Sequence, residues 1–326
     1  MGGLSGCTYD ENRHLLLAIS DDRSEKGPAR IYEFNVDFSG PQLSITPKNH
    51  LILQDEKDRN FAKAQVDFEG IAHLKNGNLL LISEGNGELS PRLPPSLMLF
   101  NSKGKRIKEW KLPPYLIPEP KGKQKTGARN NLAFEALTQI PNTDRFALIS
   151  EQALIQDGPE TGNDDKSPTR FFLMENEQVH SSYVYETDSF KQILGESVFK
   201  GTSGVSEALA LNDKEFLVLE RSFFYTTLKS RIRLFKTTIE KESTDISNWE
   251  SLKGKKYIPL KKELLVDFNE FLPKLDAKYS ALDNIEAMCW GPQLKNKKRS
   301  LIFISDNNFS IFQRTLFIIL EVSADL

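Results

Sequence analysis

Histidine and cysteine are scarce in this chain, with four and two residues among 326. The two cysteines, Cys7 and Cys289, are too few for a disulfide framework and lack the spacing of a metal site. None of the histidines falls at a repeated position, and both cysteines lie within strand-like runs, which disfavours zinc. A large charge of one sign is missing too. A net charge of −2 leaves no electrostatic footprint for nucleic acid or an anionic membrane. The Lys-rich stretches beginning at Lys121, Lys253 and Lys295 sit between strand-like runs and read as solvated loops. No apolar run approaches the ~20 residues that cross a bilayer, so no membrane span is expected. The opening MGGLSG has neither the charged nor the apolar region of a signal peptide. Helical periodicity is nearly absent, apart from VDFNEFLPKL at 266–275.

What is present is a repeat. DFEGIAHLKNGNLLLISEG, from Asp67, recurs as LAFEALTQIPNTDRFALISEQ from Leu132 and as GVSEALALNDKEFLVLERS from Gly204. It returns as NIEAMCWGP…RSLIFISDN from Asn284, and a weaker copy, GLSGCTYDENRHLLLAISDD, begins at Gly3. Aligned on Ser5, Glu69, Glu135, Glu207 and Glu286, the copies are spaced by 64, 66, 72 and 79 residues. β-branched and aromatic runs broken by NG, PNT, ND and NK turns divide each copy into four strands. The expectation is one all-β domain over residues 1–326, a β-propeller of four-stranded antiparallel blades. Five blades are favoured, with six as the alternative. The fifth copy stops after its third strand, RTLFIILEV, so either a three-stranded fifth blade or an edge-to-edge crystal contact there is expected.

Positions one and three after the anchor are small in every copy (Gly6/Thr8, Gly70/Ala72, Ala136/Thr138, Ala208/Ala210, Ala287/Cys289). Position two is mostly bulky (Cys7, Ile71, Leu137, Leu209, Met288). Period-two alternation then gives each innermost strand one small and one bulky face, which suits close packing of neighbouring blades. Cys7 and Cys289 fall at positions two and three, on opposite faces of their strands, so no disulfide is expected between them.

The second strand of each copy ends in an acid: Asp21, Glu84, Glu151, Glu220 or Asp306. Antiparallel neighbours place that acid beside the anchor glutamate, about 5 Å away at the same end of the sheet. Strand three starts there with Arg30, Arg170, Arg231 and Arg314, and with Ser96 in copy two. The plain expectation is that each arginine pairs with the closing acid of its own blade. The anchor and closing acids still outnumber the arginines, and crowded carboxylates need protons, backbone N–H groups or a cation. An oxygen-only set suits Ca²⁺. Two readings stand at this point: a metal held by Glu69, Glu84, Glu135, Glu151, Glu207, Glu220, Glu286 and Asp306, or a purely hydrogen-bonded ring.

The segments GGLSG…YD, DFEGIA, NLAFEALT, SEQ, NIEAMCWGP and SDNNFS…QRTLFIILEV resemble the phytase-like family, known for an esterase-like activity of phytase. The likeness covers essentially the whole chain. It implies an exported propeller, periplasmic or extracellular, that is calcium-dependent and hydrolyses phosphoesters. It also implies an extended segment ahead of GGLSG in family members. Carried over by position, Glu69, Glu135, Glu207 and Glu286 become catalytic candidates. A phosphoester hydrolase would also clamp its phosphate, for which Arg129 and arginines outside ion pairs, such as Arg92 or Arg221, are the candidates. The family glycine after the anchor is Ala136, Ala208 and Ala287 here, and its Asn-Arg-Gly-like lead-in becomes Arg129-Asn130-Asn131-Leu132.

No G-x-S-x-G elbow or Ser-His-Asp arrangement is present, which disfavours serine chemistry. Three functions remain: a metal-dependent phosphoester hydrolase, a non-catalytic ligand-binding or interaction propeller, and a lactonase-like esterase. The expected partner is a small phosphorylated or ester substrate met by a monomer.

Overall fold

The computed structural model describes residues 1–37, 44–274 and 282–323. The chain is an all-β five-bladed propeller. Blade one comprises β1 (Leu4–Asp10), β2 (Leu15–Ser20), β3 (Arg30–Asp37) and β4 (Ser44–Ile52). Blade two comprises β5 (Phe68–His73), β6 (Leu79–Ser83), β7 (Ser96–Phe100) and β8 (Arg106–Trp110). Blade three comprises β9 (Phe134–Gln139), β10 (Phe146–Ser150), β11 (Pro168–Glu175) and β12 (Gln178–Glu186). Blade four comprises β13 (Gly201–Ala210), β14 (Glu215–Phe224), β15 (Lys229–Thr238) and β16 (Lys261–Asp267). Blade five has three strands among the described residues: β17 (Asn284–Gln293), β18 (Arg299–Asp306) and β19 (Phe317–Val322).

Every blade is an antiparallel meander in chain order. The short helix α1 (Phe190–Leu194) left no sequence period, yet its capping box at Ser189 and Gln192 and the left-handed Gly195 define both ends. The apolar stretch at 266–275 splits between the end of β16 and a 3₁₀ helix, Phe268–Lys274; residue 275 lies outside the described residues.

Two compact units can be distinguished. The first holds blades one and five and nearly all of blade two (Met1–Ser83, Leu97–Glu109, Asp283–Leu326). The second holds blades three and four with the segment Glu84–Ser96 (Glu84–Ser96, Trp110–Leu282). In the first unit, Leu15, Leu17, Ile19 and Ile31 of blade one pack with Ile71 and Leu81 of blade two. In the second, Ala136, Ile149 and Phe171 of blade three pack against Ala208, Phe216 and Val218 of blade four. Phe171 and Phe216 meet edge to face with ring centroids 4.7 Å apart.

Cys7 and Cys289 form a disulfide, contrary to the sequence expectation, with their Cα atoms 5.7 Å apart. The alternation argument was sound for each strand, but adjacent blades meet through opposite faces. The face of blade one bearing Cys7, Leu16 and Ala18 therefore packs on the face of blade five bearing Ala287, Cys289, Ile302 and Ile304. Opposite positions in the repeat are what bring the two sulfurs together.

Candidate metal centre

The anchor glutamates owe their placement to a bulge. In blades one, two, three and five the ladder between the first two strands skips one residue, at Ser5, Glu69, Glu135 and Glu286. A bulged residue leaves the ladder and re-aims its side chain. Blade four skips Ser206 instead, so Glu207 lies one step further along and pairs in register with Leu219. Arg221 then occupies the place that Asp21, Glu84, Glu151 and Asp306 hold in the other blades.

This slip gives Glu207 and Glu220 different surroundings from the other acids. Glu207 is buried and accepts the N–H of Ala208 at 2.9 Å. Glu220, fully buried, accepts hydrogen bonds from the Tyr185 hydroxyl at 2.8 Å, Arg233 at 3.0 Å and Lys262 at 2.5 Å. Asp188 joins the same arginine and lysine at 2.6 and 2.8 Å. That network ties blade three to blade four. The sequence had aligned Glu207 and Glu220 on side-chain type, because the bulge position is invisible without strand register.

In the second unit, Glu84, Glu135 and Glu151 are all buried and each brings a carboxylate oxygen within 4.8 Å of the others. Glu84, directly after β6, accepts the N–H of Ala133 at 2.5 Å. Glu135 sits on the bulge of β9, and Glu151 follows β10, its N–H bound to the Ala133 carbonyl at 2.7 Å. Burial pushes the Glu151 carboxyl up to about 7, against the lowering pull of Arg221, whose guanidinium is 4.0 Å away. The donor set is three oxygens with no nitrogen or sulfur, the chemistry of a hard cation. Three buried carboxylates that converge in this way repel one another, and a cation between them would relieve that repulsion. These residues could hold a hard cation.

The first unit holds a second group of acids around the start of β1. Burial pushes Asp21 up to about 8, with further contributions from Asp306, Glu286, Asp67 and Asp22. Asp306 is also raised by burial while backbone N–H groups oppose the shift; its Oδ1 accepts the N–H of Leu4 at 3.0 Å. It thereby fastens β1 to blade five. Glu286 accepts a hydrogen bond from Asn284 at 2.7 Å. Asp67, raised by burial, is held by Arg23 at 2.6 Å and hydrogen-bonds to Glu69.

Arg30, Arg170 and Arg231 hold carboxylates other than the closing acids, which corrects that expectation; in blade four a different strand-three arginine, Arg233, takes the closing acid Glu220. Arg30 takes Asp22 at 2.8 Å, and Arg170 takes Asp157 in a forked, fully buried pair at 2.6 and 3.0 Å. Arg231 lies 3.5 Å from Asp267, and Arg314 stands beside Asp283. Asp22, Asp157 and Asp267 follow the closing acid of their blade in the chain and Asp283 precedes β17, so none of these partners belongs to the repeated strand-end set. Nor do two of the three expected clamps face an open site. Arg92 donates to the carbonyls of Glu119 and Gly122, and Arg129 to those of Ala153 and Gly158 and to Glu160. Both guanidiniums fasten loops. Arg221 stays beside the carboxylates.

A propeller with bulge-borne glutamates and closing acids at shared strand ends defines a class of repeat-built β proteins. Within it, this chain belongs to the phytase-like family, described as "esterase-like activity of phytase", which matches residues 1–309. No curated protein matches the sequence. Among solved structures, the chain is similar to an endo-arabinase from Bacteroides thetaiotaomicron at 9% identity, covering 99% of this chain and 95% of that one, with a TM-score of 0.47. It is also similar to a putative oxidoreductase (glucose dehydrogenase) from Thermus thermophilus at 10% identity, covering 98% of each chain, with a TM-score of 0.37. Neither likeness bears on activity.

Proposed function

We propose that this chain is a calcium-dependent phosphoester hydrolase whose centre is Glu84, Glu135 and Glu151 with Arg221 beside them. The observation that carries the reading is the convergence of three buried carboxylates within 4.8 Å of one another, joined to membership of a family described by an esterase-like activity. Bound there, Ca²⁺ would polarise a phosphoryl oxygen and lower the pKa of a coordinated water. The Ala133 N–H orients Glu84, the β9 bulge aims Glu135, and Arg221 supplies a positive charge next to Glu151 for an anionic substrate. Burial of all three acids excludes water from their far sides and strengthens their hold on a cation.

The protein would work in an oxidising compartment outside the cytoplasm, as the Cys7–Cys289 disulfide and the family resemblance suggest. No helix among the described residues is long and apolar enough to cross a membrane.

The test is calcium titration of metal-stripped protein by calorimetry, with 4-nitrophenyl phosphate turnover followed before and after chelation. Glu135→Gln and Glu151→Gln should each weaken calcium binding and reduce turnover by ten-fold or more, about 1.4 kcal/mol per factor of ten. Turnover indifferent to chelator, or no calcium binding, would refute the proposal.

A further inference from the structure

Blade four is longer than the others at the end where its sheet meets the carboxylates. Elsewhere the first strand begins one or two residues before its bulge, but β13 begins at Gly201, five residues before Ser206. β14 correspondingly continues to Phe224, four residues past Glu220, while β2, β6 and β10 stop at the equivalent serine. The result is a three-stranded arm, because β15 follows β14 to its end through Arg221↔Ile232, Phe223↔Ser230 and Phe224↔Lys229. Its ladder runs from Gly204↔Arg221, beside Glu151, out to Gly201↔Phe224, and the Tyr225 N–H extends it to the carbonyl of Lys200 at 3.1 Å.

Alternation places Arg221, Phe223 and Tyr225 on one face of that arm. Phe223 and Tyr225 confirm the shared face by meeting edge to face at 5.3 Å. Tyr225 is 48% exposed, and the Lys200 ammonium lies 5.2 Å above its ring. A strip therefore leads from the guanidinium next to Glu151 along two aromatic rings to an ammonium, over about 13 Å at ~3.3 Å per residue. Aromatic rings left open to water gain free energy when an apolar group covers them.

We infer that this strip is a subsite for the apolar, aryl or alkyl, portion of a phosphomonoester whose phosphoryl group sits at Arg221. The inference rests on the proposed hydrolase and narrows its substrate class to amphiphilic monoesters. Densely charged polyphosphates suit the arrangement poorly. Arg92 and Arg129 are committed to backbone carbonyls, and the carboxylates themselves repel a polyanion.

The test uses non-hydrolysable probes, so it does not depend on turnover. Binding of phenylphosphonate and methylphosphonate to calcium-supplemented protein is measured by calorimetry in the wild type and in Tyr225→Ser, a change at an exposed position. The phenyl compound should bind the wild type about ten-fold more tightly, a ratio that burial of one ring supports. In Y225S the ratio should fall towards one. Equal affinities in the wild type, a ratio unchanged in Y225S, or no binding of either phosphonate would each overturn the subsite. Aryl preference in binding without hydrolysis of any monoester would leave the subsite standing and sink the hydrolase reading. Hydrolysis without aryl preference would do the reverse.

Discussion

Gly204 lies so close to Glu151 that a methyl group on its α-carbon would stand 2.8 Å from Oε1 of Glu151 and closer still to its Cγ. The glycine opposite Arg221 in the β13–β14 ladder thus makes room for a blade-three carboxylate. Gly204→Ala should push Glu151 away from Glu84 and Glu135 and weaken calcium binding several-fold. Calcium titration of the variant beside the wild type measures this; an unchanged affinity would show that Glu151 is not a ligand.

Arg170 and Asp157 form a buried pair, and the guanidinium also donates to the Trp249 carbonyl at 2.8 Å and covers the Tyr115 ring at 4.7 Å. Removing the arginine leaves a buried carboxylate uncompensated. Arg170→Ala should therefore cost about 3–5 kcal/mol of stability in chemical denaturation. Arg231, partly exposed and 3.5 Å from Asp267, should cost no more than about 1 kcal/mol on the same replacement. Equal losses would refute the difference in burial as the cause.

Asp21 makes stability depend on pH in a defined direction. Its carboxyl titrates near 8 in the folded chain, against an ordinary value of 3.8. Between roughly pH 4 and pH 8 the folded state keeps a proton that the unfolded state has lost, so stability falls as pH rises through that window. Asp21→Asn should flatten the slope and gain about 1–2 kcal/mol at pH 8, after allowance for partial exposure. Denaturant midpoints at pH 5 and pH 8 in both proteins give the answer, and parallel slopes would dismiss Asp21 as the source.

The Cys7–Cys289 disulfide joins residues 282 apart in sequence. Its loss through Cys7→Ser with Cys289→Ser should destabilise by about 2–5 kcal/mol, mainly by freeing the unfolded chain. Thiol titration of the unreduced, denatured protein should find no free thiol. Two free thiols would mean that the bridge does not form.

The repeat itself carried the fold. Five aligned copies with turn residues between apolar runs define five sheets, because hydrogen bonding along a strand and alternation across it are local properties. The anchor positions were legible in four copies: Glu69, Glu135 and Glu286, with Ser5 in the weak copy, stand at equivalent places, although the bulge they occupy was not. Glu84, Glu135 and Glu151 stood among the candidates read from the repeated strand ends, and the structure brings their carboxylates together.

Register and the meeting of faces were decided by tertiary structure. A one-residue shift of the bulge to Ser206 replaces the closing acid of blade four with Arg221 and turns Glu220 into the hub of a buried ion network, although the residue types on each strand barely change. Arg170 found Asp157 because a loop brings that carboxylate alongside, a distance no periodicity encodes. Cys7 and Cys289 were assigned the correct faces of their own strands. The structure supplied the remaining fact, that neighbouring blades press opposite faces together, and that contact is a property of the packed sheets which neither strand contains.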